Sequence, residues 1–129
     1  MKNLILLFAA LTLFSCKKEE VNPVENQKYN TYSARIGYSS NEFNIITFDN
    51  DLGNVEWVRM SIGVFKGYFS SGIPVQKTFI YHSQFDHPSK FCSVELNLDN
   101  TILIKSFIDN EPSDLPMIEG VFLEVKVKQ

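Results

Sequence analysis

The chain reads as all-β, a single antiparallel β-sandwich of seven or eight strands behind an N-terminal leader and a tether. Three observations predict it. From Tyr32 onward apolar residues alternate with polar ones at period two, the pattern of half-buried strands. Clusters of Asn, Asp, Ser, Gly and Pro recur about every 8–12 residues, the spacing of turns in sandwiches and small barrels. No window carries a helical period, so no crossover helix is available and only sequential antiparallel pairing is implied.

Each element follows from its residues. Tyr32, Ala34, Ile36 and Tyr38 alternate with Ser33, Arg35 and Gly37 as a first strand, and Ser39-Ser40-Asn41 turns the chain into a second over Phe43 to Phe48. After the turn formers Asp49 to Asn54, one long strand is predicted from Val55 to Val64, with Gly63 and Gly67 marking a bulge or a break before Tyr68-Phe69. Ser70-Ser71-Gly72 and Pro74 form a loop, Lys77 to His82 a strand, and Asp86-His87-Pro88-Ser89 a turn. Cys92, Val94, Leu96 and Leu98 then lead through Asp99-Asn100 into Thr101 to Ile104, which suits a hairpin with a two-residue type I′ connection. Asp109 to Pro116 reads as a polar loop, and Val121, Leu123, Val125 and Val127 close the domain against Glu124, Lys126 and Lys128. An immunoglobulin-like arrangement of the two sheets is the first expectation for strands at this spacing.

The first fifteen residues have a different logic. Met1-Lys2-Asn3 carries one side-chain positive charge, and an apolar run from Leu4 to Phe14 follows, broken only by Thr12. Eleven helical residues rise about 16 Å, roughly half of a ~30 Å hydrocarbon core. That is too short to span and right for the apolar region of a signal peptide. Residues 1–15 are therefore expected to be cleaved, residues 16–29 to form a flexible tether and residues 30–129 the β domain. The tether segment, Lys17-Lys18-Glu19-Glu20 through Lys28, is charged and amide-rich, and cannot bury enough apolar surface to offset its ordering entropy.

Leu13-Phe14-Ser15-Cys16 resembles the lipobox of bacterial lipoproteins: a Leu, a small residue, then the Cys that is acylated with palmitate-type chains. Phe14 is bulkier than the residue usual at its position. The resemblance implies cleavage before Cys16 and a membrane anchor there, stable because two or three chains hold where one binds only marginally. Lys17-Lys18-Glu19-Glu20 is similar to export tags of Gram-negative lipoproteins, which implies the outer membrane and display on its outer side. Within the domain, Tyr32-Ser-Ala34-Arg-Ile36 and Ser93-Val-Glu-Leu-Asn-Leu-Asp99 resemble strands of small β-sandwich lipoproteins of the mycobacterial membrane-protein-small type. That likeness implies a fold and no chemistry.

From residue 30 onward eight Lys and Arg stand against twelve Asp and Glu, without a basic cluster, a poor balance for nucleic acid. With Cys16 spent on lipid, Cys92 has no partner for an intrachain disulfide. Its alternating surroundings, Phe91 to Leu96, read as those of a buried small hydrophobe. A reactive thiolate would need an electropositive, part-exposed setting, and only Lys90 is near in sequence.

The candidate sites are few. His82, Asp86 and His87 could ligate zinc, although a strand end followed by a turn explains them as well. Asp49 and Asp51 open a stretch like a calcium loop, but Gly53 comes one place early and Met60 stands where the bidentate Glu belongs. Asp109, Glu111, Asp114 and Glu119 form an acidic loop, and Glu56 and Glu95 could face one another. Neither a Gly-x-Ser-x-Gly elbow nor a phosphate-cradling Gly loop is present, so no catalytic residue and no cofactor is assigned. Eleven Phe, five Tyr and one Trp are generous for this length. They serve either as core or as a partner surface, and Tyr68, Phe69 and Tyr81 are the partner-binding candidates, with Tyr68 and Tyr81 the ones expected outside.

Two function classes follow. The first is a non-enzymatic, lipid-anchored module that binds a protein or glycan at the cell envelope. The second is an inhibitor or immunity-type lipoprotein that blocks a toxin or envelope enzyme. An envelope hydrolase has the least support.

Overall fold

A computed structural model of the chain describes residues 27–98 and 100–129. The expected leader, the expected acylation site at Cys16, most of the expected tether, and Asp99 lie outside these residues. Among the described residues the chain forms nine strands: β1 Tyr29–Ser39, β2 Glu42–Asn50, β3 Val55–Ser61, β4 Val64–Phe69, β5 Thr78–His82, β6 Lys90–Leu96, β7 Thr101–Ile108, β8 Glu111–Pro112 and β9 Val121–Lys128. A 3-10 turn at Val75–Lys77 and a single helical turn, α1 at Pro116–Glu119, complete it. The strands make two antiparallel sheets, ordered β2-β1-β9-β5 and β3-β4-β7-β6, with β8 added to β7.

The protein is thus an all-β sandwich, as the alternation predicts. Its connectivity is its own: the last strand lies between the first and the fifth, where an immunoglobulin domain orders its sheets ABED and CFG.

Parity explains the core. On β1, Tyr32, Ala34, Ile36 and Tyr38 turn inward, and on β9 Val121, Leu123 and Val125 do the same. They meet Trp57, Phe65, Phe69, Ile102 and Ile104 from the other sheet in one cluster. Burying one such side chain is worth about 1.5–3 kcal/mol. Trp57 Nε1 donates to Tyr32 Oη across the sandwich at 3.4 Å. Burial raises the Tyr32 phenol above its ordinary pKa, and hydrogen bonds with Trp57 and Thr47 partly oppose the shift.

Three expectations change. The strand expected over Val55 to Val64 is a hairpin, β3 and β4, which turns at Ile62-Gly63. Gly63 has φ +67, and a Cβ there would lie 2.5 Å from Ser106 O, so only glycine fits. The hairpin after Leu96 closes through Asn97 N–H to Thr101 O at 2.9 Å, a three-residue loop with Asn100 at φ 61, in place of a two-residue one. Leu98 is 89 % exposed there, outside the face its alternation suggests. Two-residue type I′ turns occur elsewhere, at Ser40-Asn41 and at Asp109-Asn110, where both residues have positive φ. The second of these places a β8 hairpin inside the stretch read as a loop.

Candidate binding face

The outer face of the sheet β2-β1-β9-β5 is built by the parity opposite to the core. Arg35 pairs with Ile46 on β2 and with Phe122 on β9, so these three side chains point outward together. On β5, Phe79 and Tyr81 lie opposite Lys126 and Glu124 and share that face. A bulge between Ser33 and Ala34 inserts Phe48, whose ring lies 6.0 Å from that of Phe122. Ser33 points outward yet is 6 % exposed, because its small side chain sits beneath the larger groups around it.

The result is a face with exposed apolar side chains on β2, β9 and β5, among which Arg35, Glu124 and Lys126 stand on the central strands β1 and β9. Ile46 is 49 % exposed, Phe48 62 %, Phe79 47 %, Tyr81 57 % and Phe122 40 %. Tyr29 meets Phe79 edge-on at 6.2 Å. Single exposed apolar residues are ordinary on protein surfaces; a contiguous set of this kind marks a site of interaction. Lys126 lies 5.7 Å from the Tyr81 ring centroid and pairs with Glu124 at 2.8 Å. The hydrogen bond to Glu124, then its charge and those of Tyr81 and Tyr29, hold the Lys126 ammonium above its ordinary pKa.

One end of this face deepens into a cleft of about 140 Å³ lined by Arg35, Gly37, Asn44, Ile46 and Ile118 among others. Gly37 lies on β1 beneath the α1 backbone, where a Cβ would make ordinary contact with Met117 O and Asn44 O at 3.4 Å. Arg35 donates through Nε to Glu119 O at 3.1 Å and through a second guanidinium nitrogen to the same oxygen. Gly120 beside it has φ 80 and ψ 148, a backbone conformation that is essentially glycine's alone. Glu119 is in turn paired with Lys90. The guanidinium is thereby a fixed positive group on this face, in register between Ile46 and Phe122.

Comparison with protein-family models, curated proteins and solved structures finds no match to this chain. The site must be read from its own geometry.

The residues singled out by sequence fall in several places. Tyr81 belongs to this face. Tyr68 is exposed on the outer face of the opposite sheet, with Lys66 at 5.2 Å from its ring centroid. Phe69 is not a surface candidate: it is 7 % exposed and meets the Tyr32 ring edge-on at 5.3 Å. The inward parity of β4, shared by Phe65, Gly67 and Phe69, fixes that.

The ionisable candidates are dispersed. His82 Nδ1 lies 3.7 Å from Cys92 Sγ, whereas His87 Nδ1 bonds the N–H and the hydroxyl of Ser89 within its own turn. Asp86 is exposed, and Asp49 sits opposite Ser33. Asp51 holds Thr31, accepting its N–H at 3.3 Å while donating its own to Thr31 O. Among the described residues no three His, Cys, Asp or Glu side chains gather to hold a metal. Glu56 and Glu95 lie on β3 and β6, opposite edges of one sheet, and Glu95 pairs with Lys105. In the acidic loop Asp114 accepts from Arg59 at 2.7 and 2.9 Å and from Gly63 N–H at 2.7 Å, clasping the β3–β4 turn.

Cys92 is 4 % exposed, and desolvation pushes its thiol up to about 11. Its neighbour Gln84 mimics a strand: the side-chain amide donates to Cys92 O at 3.2 Å and accepts from Cys92 N–H at 3.4 Å. The free edge of β6 is covered there.

Ile46, Phe48, Phe79 and Phe122 enter only with the structure. A signal for one of them exists in the sequence. Phe122 falls on the Glu124, Lys126, Lys128 side of β9, an aromatic ring at a polar parity.

Proposed function

We propose that this chain is a lipid-anchored cell-envelope protein, held at the outer membrane through Cys16, and that its β-sandwich is a non-enzymatic binding module. The observation that carries the binding reading is the exposure of Ile46, Phe48, Phe79, Tyr81 and Phe122 on one sheet face. Its chemistry favours a protein partner over a glycan. Three of the five are Phe and one is Ile, groups without the donors and acceptors that sugar hydroxyls require, while Arg35 and the Glu124–Lys126 pair, on the two central strands, set charged groups among them. Four clefts among the described residues measure about 140 to 280 Å³ each, below the ~300–1,000 Å³ of small-molecule sites. Support for the anchor is the lipobox-like Leu13-Phe14-Ser15-Cys16 and the short apolar run before it.

Two variants test the halves separately. Cys16→Ala should abolish lipid labelling and release the protein from membranes; unchanged membrane retention contradicts the anchor. The double variant Phe48→Ser/Phe122→Ser should keep the wild-type melting temperature within a few degrees, since both rings are outside the core, and lose the envelope protein that cross-links to the wild type. Retention of that adduct at wild-type yield contradicts the binding face.

A further inference from the structure

The strand β2 is an edge of its sheet, pairing with β1 alone among the described residues. Edges are normally blunted by shortness, charge, proline or a cover. The other three show such devices along their length: β5 has five residues, β3 carries Glu56 and Arg59 within its span, and β6 is covered at Cys92 by the Gln84 amide, whereas β2 has its charges, Glu42 and Asp49, and its bulge only toward the ends. In β2 the stretch from Phe43 to Phe48 has neither charge nor proline over six residues of a nine-residue strand.

Its geometry sets the pairing it offers. The two-residue turn at Ser40-Asn41 makes Ser39 and Glu42 a hydrogen-bonded pair. By alternation Glu42, Asn44 and Ile46 direct their backbone groups to β1, and Phe43, Ile45 and Thr47 direct theirs away from the sheet. An antiparallel copy of the same strand, centred on Ile45, places Phe43 opposite Thr47 and Ile45 opposite itself, with about six backbone hydrogen bonds across the seam. Aromatic against β-branched is a favourable cross-strand pair. On the outer face Asn44 meets Ile46, and Glu42 meets Phe48, so no carboxylate opposes another. Each chain has one β2, so the contact closes as a two-fold and cannot propagate.

We propose that two copies of this chain pair through β2, joining their sheets edge to edge and merging the two outer faces into one surface. The occupant of this edge is a second copy because the uncharged stretch Phe43 to Phe48 pairs with its own copy without setting like charges opposite one another, and with Phe43 opposite the β-branched Thr47.

Disulfide trapping in the full-length chain tests the register. Asn44 and Ile46 are exposed and face one another across the seam as a non-hydrogen-bonded pair, about 4.5 Å between Cα atoms, within disulfide reach. Two differently tagged full-length chains, one Asn44→Cys and one Ile46→Cys, are co-expressed and oxidised in membranes, with the unsubstituted chain as baseline. The expected result is a disulfide-linked species carrying both tags in the mixture and no self-linked dimer above baseline from either variant alone. Absence of the mixed species overturns the proposal, and so does self-linking by single variants as efficient as that of the mixture. Neither result bears on the envelope-partner reading, which is scored by loss of a different adduct.

Discussion

Gly67 and Trp57 show how a single residue can fix a core. They pair across β3 and β4, and a Cβ on Gly67 would lie 2.8–2.9 Å from three carbons of the indole. The ring occupies the space that glycine leaves, and its N–H reaches Tyr32 on the other sheet. Gly67→Ala should therefore displace a rigid ring at a cost of about 1–3 kcal/mol, as overpacking does, read as a lowered denaturation midpoint with an unchanged slope. Cys92 makes the second case at this scale. Its thiol titrates near 11 in the fold, above the ordinary value of 9.0, because burial disfavours the thiolate. A raised folded pKa means that this contribution is fully present below pH 9 and is lost as pH rises toward 11. The midpoint difference between wild type and Cys92→Ala, measured at pH 8 and pH 11, should shrink at the higher pH. An unchanged difference would show that the thiolate is not penalised.

At the scale of elements, the β3–β4 hairpin depends on a residue far away in sequence. Asp114 holds Arg59 and the Gly63 N–H, and Ser106 N–H donates to Gly63 O at 2.8 Å. Asp114→Ala leaves the buried Gly63 N–H without that acceptor, a loss of about 1–3 kcal/mol. Asp114→Asn keeps an acceptor oxygen and should recover part of it in thermal melting. This dependence also explains what the sequence could and could not reveal. Strand β9 is legible because Val121, Leu123, Val125 and Val127 alternate strictly with charged or exposed residues. The break at Ile62-Gly63 is not, because Met60, Ile62 and Val64 continue the period through it and the turn is held by distant partners. Asp99-Asn100 and Asp109-Asn110 are the same dipeptide, and pairing decides which becomes the two-residue turn. The binding face is half legible: Tyr81 follows from its strand, but β2 carries Phe43 and Phe48 at opposite parities, so nothing local says which ring is outside.

For the whole molecule, both sheets carry rings on their outer faces, in different settings. The outer face of β3-β4-β7-β6 holds Tyr68 with Lys66, the Glu95–Lys105 pair and the stacked Phe91–Phe107 rings, whereas the other face carries the more exposed Phe48, Phe79 and Tyr81. The main chain enters β1 at its start beside the end of β9, where Lys28 O accepts from Gln129 N–H at 3.0 Å. Tyr29, at that entry, touches Phe79 of β5. The tether proposed for residues 16–29 would therefore lead into the sheet that carries Phe79 and Phe122. The most direct measurement is photo-cross-linking in intact cells from a photoreactive residue placed at Phe48 or at Tyr68. We expect the Phe48 position to give an adduct with an envelope protein other than the chain itself, and the Tyr68 position to give none. Equal adducts from both positions, or an adduct from Tyr68 alone, would contradict the assignment of this face as the binding surface.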